Sequence, residues 1–445
     1  MFSTHATVRL WRVRRYPTWF VSDASKELAA SLLDFAVPLI ALMVTDSPAQ
    51  AGIIGAVGVI TALVFTLVGG VLADRHRRTG LMLLGALIGV ALAGSFAVLD
   101  ALSALTFGVL LVLNVVINAR DGLFDVAGEA ALKEVVPDEA MGRAQAANQG
   151  RGAAIQLAGG PLGGALLAVG GWLVAVVAGA AYLLSVVTAW MLGRTERRAP
   201  ERDPSDQTPR RTNVLAEARE GFAWLLSRVD LRGVLWVSMI VNLGFNSAMT
   251  TIIYSLQQSG HSPLVIGTLG SVLGAVMLTG AFAAPILVPR IRGGVIVIGS
   301  LIMATVGTAI LPAVHTVPGI MAIIGISVFL IPALNSALMG YFMVAVPTEL
   351  LGRANSASRV LSMGAMPLAP LIAGFGLAFV GRTGTLVACA TLTALGVILA
   401  LSNRALRSLP AESGWAAHAQ SFAQPRDSER SAETSTTHPL DEKHT

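Results

Sequence analysis

Residues 136–148 read VPDEAMGRAQAAN, and residues 346–358 read VPTELLGRANSAS. Val, Pro, Glu, Gly, Arg and two Ala coincide in the two stretches, at an offset of 210 residues. A second, shorter sequence echo, that is, a repeated motif, pairs IGAVG at 54–58 with IGTLG at 266–270. Chance can produce a match between two apolar helices, but it does not easily produce one between two polar loops. The repeat therefore predicts a chain built from two related halves.

Composition places both halves in lipid. The 445 residues are 54% hydrophobic and 13% charged, with a mean hydropathy of +0.69, and a soluble domain needs a far more charged surface. The net charge of +5 comes largely from arginines in particular loops. Membrane topology explains those arginines, so no nucleic-acid partner is predicted. The single cysteine, Cys389, lies in an apolar run and excludes a disulfide framework.

The apolar residues form twelve runs, each near the roughly 20 residues that cross a bilayer core. We predict an all-α membrane protein with six spans in each half, an architecture typical of transporters whose site lies between the halves. The predicted spans are 22–45, 49–73, 80–100, 102–127, 144–168, 170–192, 232–257, 263–288, 293–313, 316–345, 354–379 and 383–403.

Basic residues indicate the orientation, because short cytoplasmic loops retain positive charge. The N-terminal tail, every second loop and the segment after the last span contain these residues, whereas the alternate loops contain Arg382 alone. With an even number of spans, the pattern predicts both termini on the cytoplasmic side of the cell membrane. The residues are Arg9, Arg12, Arg14, Arg15, Arg75, Arg77, Arg78, Lys133, Arg143, Arg290, Arg292, Arg353, Arg404 and Arg407.

The spans divide the chain into five segments. We predict a basic tail at 1–21, a six-helix half at 22–192, a linker at 193–231, a second six-helix half at 232–405 and a disordered tail at 406–445. The linker contains VLAEAREGFAWLLSRVDLR, whose apolar spacing predicts an amphipathic helix on the membrane surface. The last segment is rich in Ser, Thr, Glu, Arg and His, a composition typical of unpacked chain.

Ionisable side chains within spans are rare, because each costs roughly 2.5 kcal/mol or more at the bilayer centre. Asp34 lies near the middle of the first predicted span, and Arg120 and Asp121 lie about two turns from the end of the fourth. Asp121 shares a helix face with Asp125 and Glu129 at four-residue spacing. We predict that Asp34 or Asp121 exchanges a proton during transport. The alternative is a static Asp34–Arg120 pair that only joins helices.

Uncharged polar residues on the seventh and tenth spans are candidates for hydrogen bonding to a substrate in an apolar cavity. They are Asn242, Asn246, Tyr254 and Asn335. The alternative for each is an interhelical hydrogen bond worth about 0.6 kcal/mol.

Two arginines lie a short way into the fifth and eleventh spans, within the duplicated segments. For Arg151 and Arg359 we predict gate ion pairs, with substrate contact as the alternative. No Gly-rich phosphate loop ending in Gly-Lys-Ser or Gly-Lys-Thr is present, which disfavours pumping driven directly by ATP. The scattered histidines predict no metal site.

The loop after the second span carries a motif, GGVLADRHRRTG at 69–80. A Gly stands four residues before Asp-Arg, and further basic residues follow. In this motif the chain resembles the major facilitator superfamily, although the family usually has Gly where this chain has Arg77.

The resemblance implies a cytoplasmic latch in which Asp74 faces backbone N–H groups at the start of the eleventh span. It also implies that Arg75 or Arg78 meets an acid at the end of the fourth span, either Asp125 or Glu129. The alternative is a solvated basic loop. The predicted latch residues are Gly70, Asp74, Arg75, Arg77, Arg78, Asp125, Glu129, Arg143 and Arg353.

The fifth span contains LAGGPLGGALL at 157–167, with Gly160, Pro161, Gly163 and Gly164. This stretch resembles the fifth-helix motif of drug and proton antiporters in the superfamily, with one residue fewer between Pro and the Gly pair. Gly and Pro allow close packing and bending. Packing alone is the alternative role.

Residues 20–405 resemble the branch of the superfamily that contains siderophore exporters and macrolide efflux pumps. The matching stretches are AVPLIALMVTDSPAQAG, GVLADRHRR, the two VP-x-E loops and EAREGFAWLL. The resemblance implies that spans one, four, seven and ten line a central cavity, with Asp34 and Arg120 facing each other across it.

The expected function is therefore secondary active transport, not enzymatic catalysis. We expect a proton-coupled exporter of a small amphipathic compound, such as a drug, macrolide or siderophore, working by alternating access. It is expected to act as a monomer in the bilayer, with the proton gradient as its energy source and no cofactor. The alternatives are an importer or facilitative carrier of the same fold and a non-transporting scaffold or sensor.

Overall fold

The computed structural model describes residues 10–196, 214–347 and 350–422, and within those ranges the chain is helical, without β-strands. Within these ranges, twelve candidate spans are long and apolar enough to cross a membrane, which confirms the predicted number. The helices are α1 Tyr16–Thr45, α2 Pro48–Arg75, α3 Arg78–Ala101, α4 Phe107–Val135, α5 Asp138–Val169, α6 Gly171–Glu196, α7 Val214–Ser227, α8 Val229–Gln258, α9 Pro263–Arg290, α10 Gly293–Ile310, α11 Val317–Val328, α12 Ile331–Ala345, α13 Leu351–Met363, α14 Leu368–Phe379, α15 Gly381–Ser402, α16 Arg404–Arg407 and α17 Trp415–Gln420.

Helix α1 begins at Tyr16, so the first helix is longer than the predicted 22–45. Pro17 lies in its first turn, where proline is tolerated because the first backbone N–H groups have no helical partner. Tyr16 and Trp19 are fully buried. This aromatic packing explains why the helix extends into a segment whose charge suggested a solvated tail.

The buried apolar residues form separate cores at one end of the bundle and a joint core at the other. Near the described termini, one core contains residues such as Trp19, Phe124 and Leu132, and another contains Leu225, Tyr341 and other residues after 214. At the opposite end, a single core combines N-half residues with C-half residues. The two halves are thus joined at the end away from the termini, which we call the opposite end, and separated at the termini end.

The tenth and eleventh spans are each broken in the middle. The tenth consists of α11 and α12, with Pro332 just after the break. The eleventh consists of α13 and α14, joined by turns at 364–367 that include Pro367. Proline lacks an N–H donor, so it favours such breaks. Asn242 Nδ2 of α8 lies 3.5 Å from the Ser362 carbonyl oxygen near the second break, which supports a structural role for this asparagine.

An amphipathic helix forms within the linker as α7, and it packs against α13. Leu225 is fully buried, and Arg353 donates to Glu220 at 2.6 Å. A Cβ added at Gly221 would lie 2.7 Å from the Arg353 carbonyl oxygen, so the two helices approach closely. The linker helix is therefore attached to the C-half through the second copy of the duplicated loop.

The prediction of a disordered tail is wrong for residues 406–422, while 423–445 lie outside the described residues. Residues 404–422, the tail segment, contain α16 and α17 and fold back onto α10 and α12. Backbone N–H groups of Gly293 and Gly294 donate to the carbonyl oxygens of Pro410 and Leu409. Trp415 is 5% exposed, and a Cβ at Gly340 would lie 2.5 Å from its ring. One buried tryptophan anchors a segment whose composition suggested disorder.

A buried polar network holds the tail segment on the C-half. Arg228 and Asp230 form a bidentate ion pair at 3.0 and 2.9 Å, and Arg228 also donates to the Ala419 carbonyl oxygen at 3.1 Å. Tyr341 donates to Asp230 at 2.7 Å, and its hydroxyl lies 3.0 Å from His418 Nδ1. Because each buried group has a partner, the network stabilises docking of the tail segment.

Acidification is expected to loosen the tail segment. Burial lowers the pKa of His418, and the Asp230 carboxylate opposes this effect. Docking therefore favours the neutral imidazole. Its contribution is complete above the ordinary histidine pKa of about 6.5 and is lost as the pH falls through the lowered value. Hydrogen exchange of the α17 backbone measures this, and protection should decrease on acidification.

The matched controls for this pH effect are two histidine substitutions. His418→Gln should remove the pH dependence, whereas His261→Gln, at a histidine whose Nδ1 lies 3.2 Å from the Leu256 carbonyl oxygen, should leave it intact. An unchanged pH response in His418→Gln would contradict the assignment.

Candidate functional site

A central cavity of about 550 Å³ lies between the two halves. Helices α1, α2, α4, α8 and α14 contribute to its wall, which is mostly apolar. Among the described residues of its lining, Asp34 is the one charged side chain; the polar residues are Asn114, Asn118, Thr250 and Tyr254. A cavity with apolar walls and a few polar groups is the usual form of a small-molecule site.

One glycine-lined seam closes the opposite end of the bundle between α5 and α9. Cβ atoms built on Gly160 and Gly267 would each meet the backbone of the other residue, and one on Gly164 would meet the Pro263 backbone. Ser271 also donates across the seam to the Leu157 carbonyl oxygen at 2.7 Å. The Gly-Pro motif therefore packs one half against the other, and Gly is needed because the backbones nearly touch.

A second seam joins α2 to α14 in the equivalent position. A Cβ on Gly52 would meet the Pro370 carbonyl oxygen, one on Gly374 would meet that of Pro48, and one on Gly55 would lie 2.9 Å from Pro370 Cβ. The weaker sequence echo, IGAVG against IGTLG, thus supplies Gly55 to this seam and Gly267 to the other. The echo marks equivalent contacts in the two halves.

A polar vestibule of about 540 Å³ lies on the termini side of the central cavity. Its wall on α1 contains Asp23, Lys26 and Glu27. Asp34 lies seven residues beyond Glu27 on the same helix, about 10 Å along the axis. With both seams at the opposite end and separate cores at this end, the central cavity faces the end that carries the termini.

Asp34 is exposed to the cavity, about 27 Å along α1 from Tyr16. In the described structure its carboxylate makes no hydrogen bond or ion pair. A carboxylate in an apolar wall without a partner is costly unless it can be neutralised. The geometry therefore leaves Asp34 available for a proton or a cationic group.

Arg120 points into the N-half and does not pair with Asp34. Its Nε donates to the Gly85 carbonyl oxygen at 2.9 Å, and its Nη1 donates to the Tyr182 hydroxyl at 3.0 Å and to the adjacent Asp121. The expected arrangement of Asp34 and Arg120 facing each other is not formed, because Nε and Nη1 of Arg120 donate to Gly85 of α3 and to Tyr182 of α6 instead. Asp121 is partnered by Arg120, which makes Asp34 the better candidate for proton exchange.

An ionic network joins α1, α4 and α5 in the vestibule. Lys26 lies 3.1 Å from both Asp23 and Asp125. Arg151 reaches Asp23 at 2.6 Å and Glu27 at 2.9 Å. The ion pairs predicted for Arg151 form, but they lie within the N-half rather than between the halves. Arg359 is exposed, and it forms no ion pair with a described carboxylate.

The arginine pairing predicted for the latch is not formed as expected. Arg78 pairs with Glu134 at 3.1 Å rather than with Asp125 or Glu129, because Lys26 occupies Asp125 and Glu129 faces the vestibule. Glu134 follows both acids on α4 and lies nearer the loop. It is therefore within reach of the Arg78 side chain.

The remaining latch residues have separate positions. Arg75, Arg77 and Arg143 are exposed, and the side chain of Asp74 lies outside the described residues. A Cβ on Gly70 would meet no described atom within 4 Å, whereas one on Gly69 would meet the Gly122 backbone. Close packing of the motif therefore depends on Gly69.

The polar residues predicted as substrate contacts on α8 and α12 differ in their distance from the central cavity, and Tyr254 borders it. Tyr254 is 1% exposed and borders the central cavity. Asn246 donates to the Asn242 carbonyl oxygen at 2.8 Å, a contact within one helix, and Asn335 is exposed on α12.

Sequence reasoning missed Asn114 and Asn118. Asn114 donates to the Ile54 carbonyl oxygen at 2.8 Å, and Asn118 donates to the Asn114 Oδ1 at 3.0 Å. They form one helical stripe with Asp121 and Asp125, at spacings of four, three and four residues. That spacing could have identified them.

Comparisons with known proteins agree with this architecture. The chain matches the profile of the Major Facilitator Superfamily over residues 27–370. No curated protein sequence matches it.

Solved transporter structures share the fold at low sequence identity. A bacterial homologue of the iron transporter ferroportin, in an inward-facing state, gives a TM-score of 0.69 at 14% identity, covering 88% of this chain and 99% of that one. A bacterial homologue of the human lysosomal transporter Spinster gives 0.62 at 15%, covering 92% and 99%. A mutant of the nucleoside transporter NupG gives 0.64 at 12%, covering 88% and 99%.

The twelve spans, the central cavity between two halves and the profile match agree with one another. The protein is a membrane transporter, not an enzyme, and the chain belongs to the Major Facilitator Superfamily.

Proposed function

We propose that the protein is a proton-coupled exporter of small amphipathic compounds such as drugs, macrolides or siderophores. The observation that carries this proposal is Asp34, an unpaired carboxylate exposed in the apolar wall of the central cavity. Asp34 would bind a proton in one conformation and release it in the other, so that the gradient drives substrate movement. No cofactor is needed, and a monomer contains the whole site.

The lining of the central cavity supports an amphipathic substrate. Sugar phosphates and dicarboxylates require fixed cations, and no described Lys or Arg lines this cavity. Apolar side chains such as Leu33, Phe35 and Ile253 would contact the apolar part of the substrate. Asn118 and Thr250 would provide hydrogen bonds to its polar part.

Alternating access would use the two seams and the vestibule. The seams hold the opposite end closed in the conformation described above, while the vestibule leads to the termini end. We propose that the termini end lies on the cytoplasmic side of the cell membrane, because arginines such as Arg290, Arg292 and Arg404 cluster there. In that orientation the described conformation would accept substrate from the cytoplasm, as an exporter must.

Accumulation of a compound panel in cells tests this proposal. Cells that contain the protein should accumulate less of at least one amphipathic compound, and collapse of the proton gradient should abolish the difference. The measurement is intracellular compound by mass spectrometry, compared with cells lacking the protein.

The same experiment separates the alternatives. Higher accumulation in cells with the protein would overturn export and indicate uptake, and faster entry of the compound without a difference in its final level would indicate facilitated diffusion. Purified protein in vesicles that moves no compound under any pH gradient would indicate a scaffold or sensor.

A further inference from the structure

A further cavity lies outside the central cavity. It has a volume of about 740 Å³ and runs between α8 and α15 at the termini end, where the tail segment closes it. We call it the flank groove. Its lining contains Arg232, Trp236, Leu399 and Arg404. Because no residue of the central cavity or the vestibule borders it, it is a separate site.

The apolar part of the flank groove is open to the surroundings of the bundle. Trp236 is 46% exposed and Leu399 is 38% exposed, although both lie on spanning helices. On α15, Leu395 and Ile398 continue the exposed apolar surface. Large apolar side chains exposed on a spanning helix contact lipid chains. The groove is therefore open to the hydrocarbon of the bilayer.

The end of the flank groove is basic. Arg232 and Arg404 are exposed, and neither forms an ion pair with a carboxylate in the described structure. Arg232 makes one long hydrogen bond, 3.4 Å to the Leu226 carbonyl oxygen. Ser408 and Asn403 also border the groove. Two guanidinium groups that form no ion pair with a described carboxylate suit a phosphate, which arginine binds through paired hydrogen bonds.

We infer that the flank groove binds an anionic phospholipid, with its phosphate at Arg232 and Arg404 and an acyl chain along Trp236 and Leu399. Basic pockets between spanning helices are suited to anionic headgroups. A lipid fits both ends of the groove at once, whereas a soluble phosphate would leave the apolar part unfilled. The bound lipid would join α8 and α15 to the tail segment, which contributes Arg404 and Phe422.

Native mass spectrometry of the full-length protein tests the inference. The lipids are phosphatidylglycerol and phosphatidylcholine with identical acyl chains. Phosphatidylglycerol should remain bound at lower concentration, and the double variant Arg232→Gln and Arg404→Gln should weaken its retention roughly thirtyfold. Leu399→Trp, which fills the apolar part, should also displace it. The matched control is Arg290→Gln with Arg292→Gln, at exposed arginines outside the groove.

Three results would overturn the inference. The first is equal retention of the two lipids. The second is an equal loss in the control variant. The third is displacement of phosphatidylglycerol by glycerol 3-phosphate, which would show that the site binds a free phosphate. If the double arginine variant fails to fold, Leu399→Trp alone tests the inference. Retention of phosphatidylglycerol at the wild-type level in Leu399→Trp would contradict the acyl-chain contact.

Discussion

Replacing Asp34 with asparagine should abolish gradient-driven transport while leaving a folded protein. Asparagine occupies nearly the same volume and keeps hydrogen-bonding atoms, but it cannot bind or release a proton. Because Asp34 makes no ion pair in the described structure, its removal leaves no stranded cation and should not destabilise the fold. Gradient-driven export measured in vesicles should fall to the level of vesicles without protein.

Two further measurements make this prediction specific to proton coupling. Exchange of labelled for unlabelled substrate without a gradient should persist in Asp34→Asn, because exchange needs binding and alternating access but no net proton movement. Asp46→Asn is the matched control. Asp46 ends the same helix in the left-handed conformation, with φ of 46°, which asparagine also adopts readily. Normal gradient-driven transport in Asp34→Asn would exclude a proton carrier at this position.

The spans and the close helix contacts were predictable from the sequence. Spans depend on apolar length, which is a local property of the chain. The glycines of the seams were visible as a motif around Gly160 and as the repeated IGxxG, because only glycine allows backbones to touch. The helices that these glycines would contact were not specified, since that depends on how the two halves dock.

The ion pairs were harder to predict, because pairing depends on helix rotation and on competition between partners. An arginine of the loop was expected to meet Asp125 or Glu129, but Lys26 pairs with Asp125 and Arg78 pairs with Glu134. Arg120 was expected to face Asp34, but it donates hydrogen bonds to Gly85 and Tyr182 within the N-half. In both cases the structure pairs the residue with a partner other than the expected one.

The tail segment shows how composition misleads when a few residues dominate packing. Most of 406–445 is polar, and disorder follows from that average. Trp415 and His418 nevertheless pack against α12. Gly340 leaves space for the indole, and the Tyr341 hydroxyl lies within hydrogen-bond distance of His418. Such complementarity depends on residues about 75 positions away, so local composition does not reveal it.

Replacing Gly267 with alanine should shift the protein away from the described conformation and strongly reduce transport. The added Cβ would lie 2.6 Å from the Gly160 carbonyl carbon and 3.0 Å from Pro161 N. These are backbone atoms, so the overlap can be relieved only by separating α5 from α9. Overpacking of this kind costs about 1–3 kcal/mol, which changes the ratio of two conformations by roughly 5- to 150-fold. The opposite end should therefore open more often.

Accessibility of a cysteine in the central cavity measures this shift. Val59 borders the cavity, and Val59→Cys in a Cys389→Ala background gives one site for a membrane-impermeant maleimide. Gly267→Ala should increase labelling from the opposite end and decrease it from the termini end. Gly270→Ala is the matched control, because its Cβ would lie 4.0 Å from the nearest described atom, Gly160 Cα. Equal effects of the two substitutions would mean that the seam does not hold the opposite end closed. An effect confined to Gly267 would show that one backbone contact between the halves limits which end of the transporter is open.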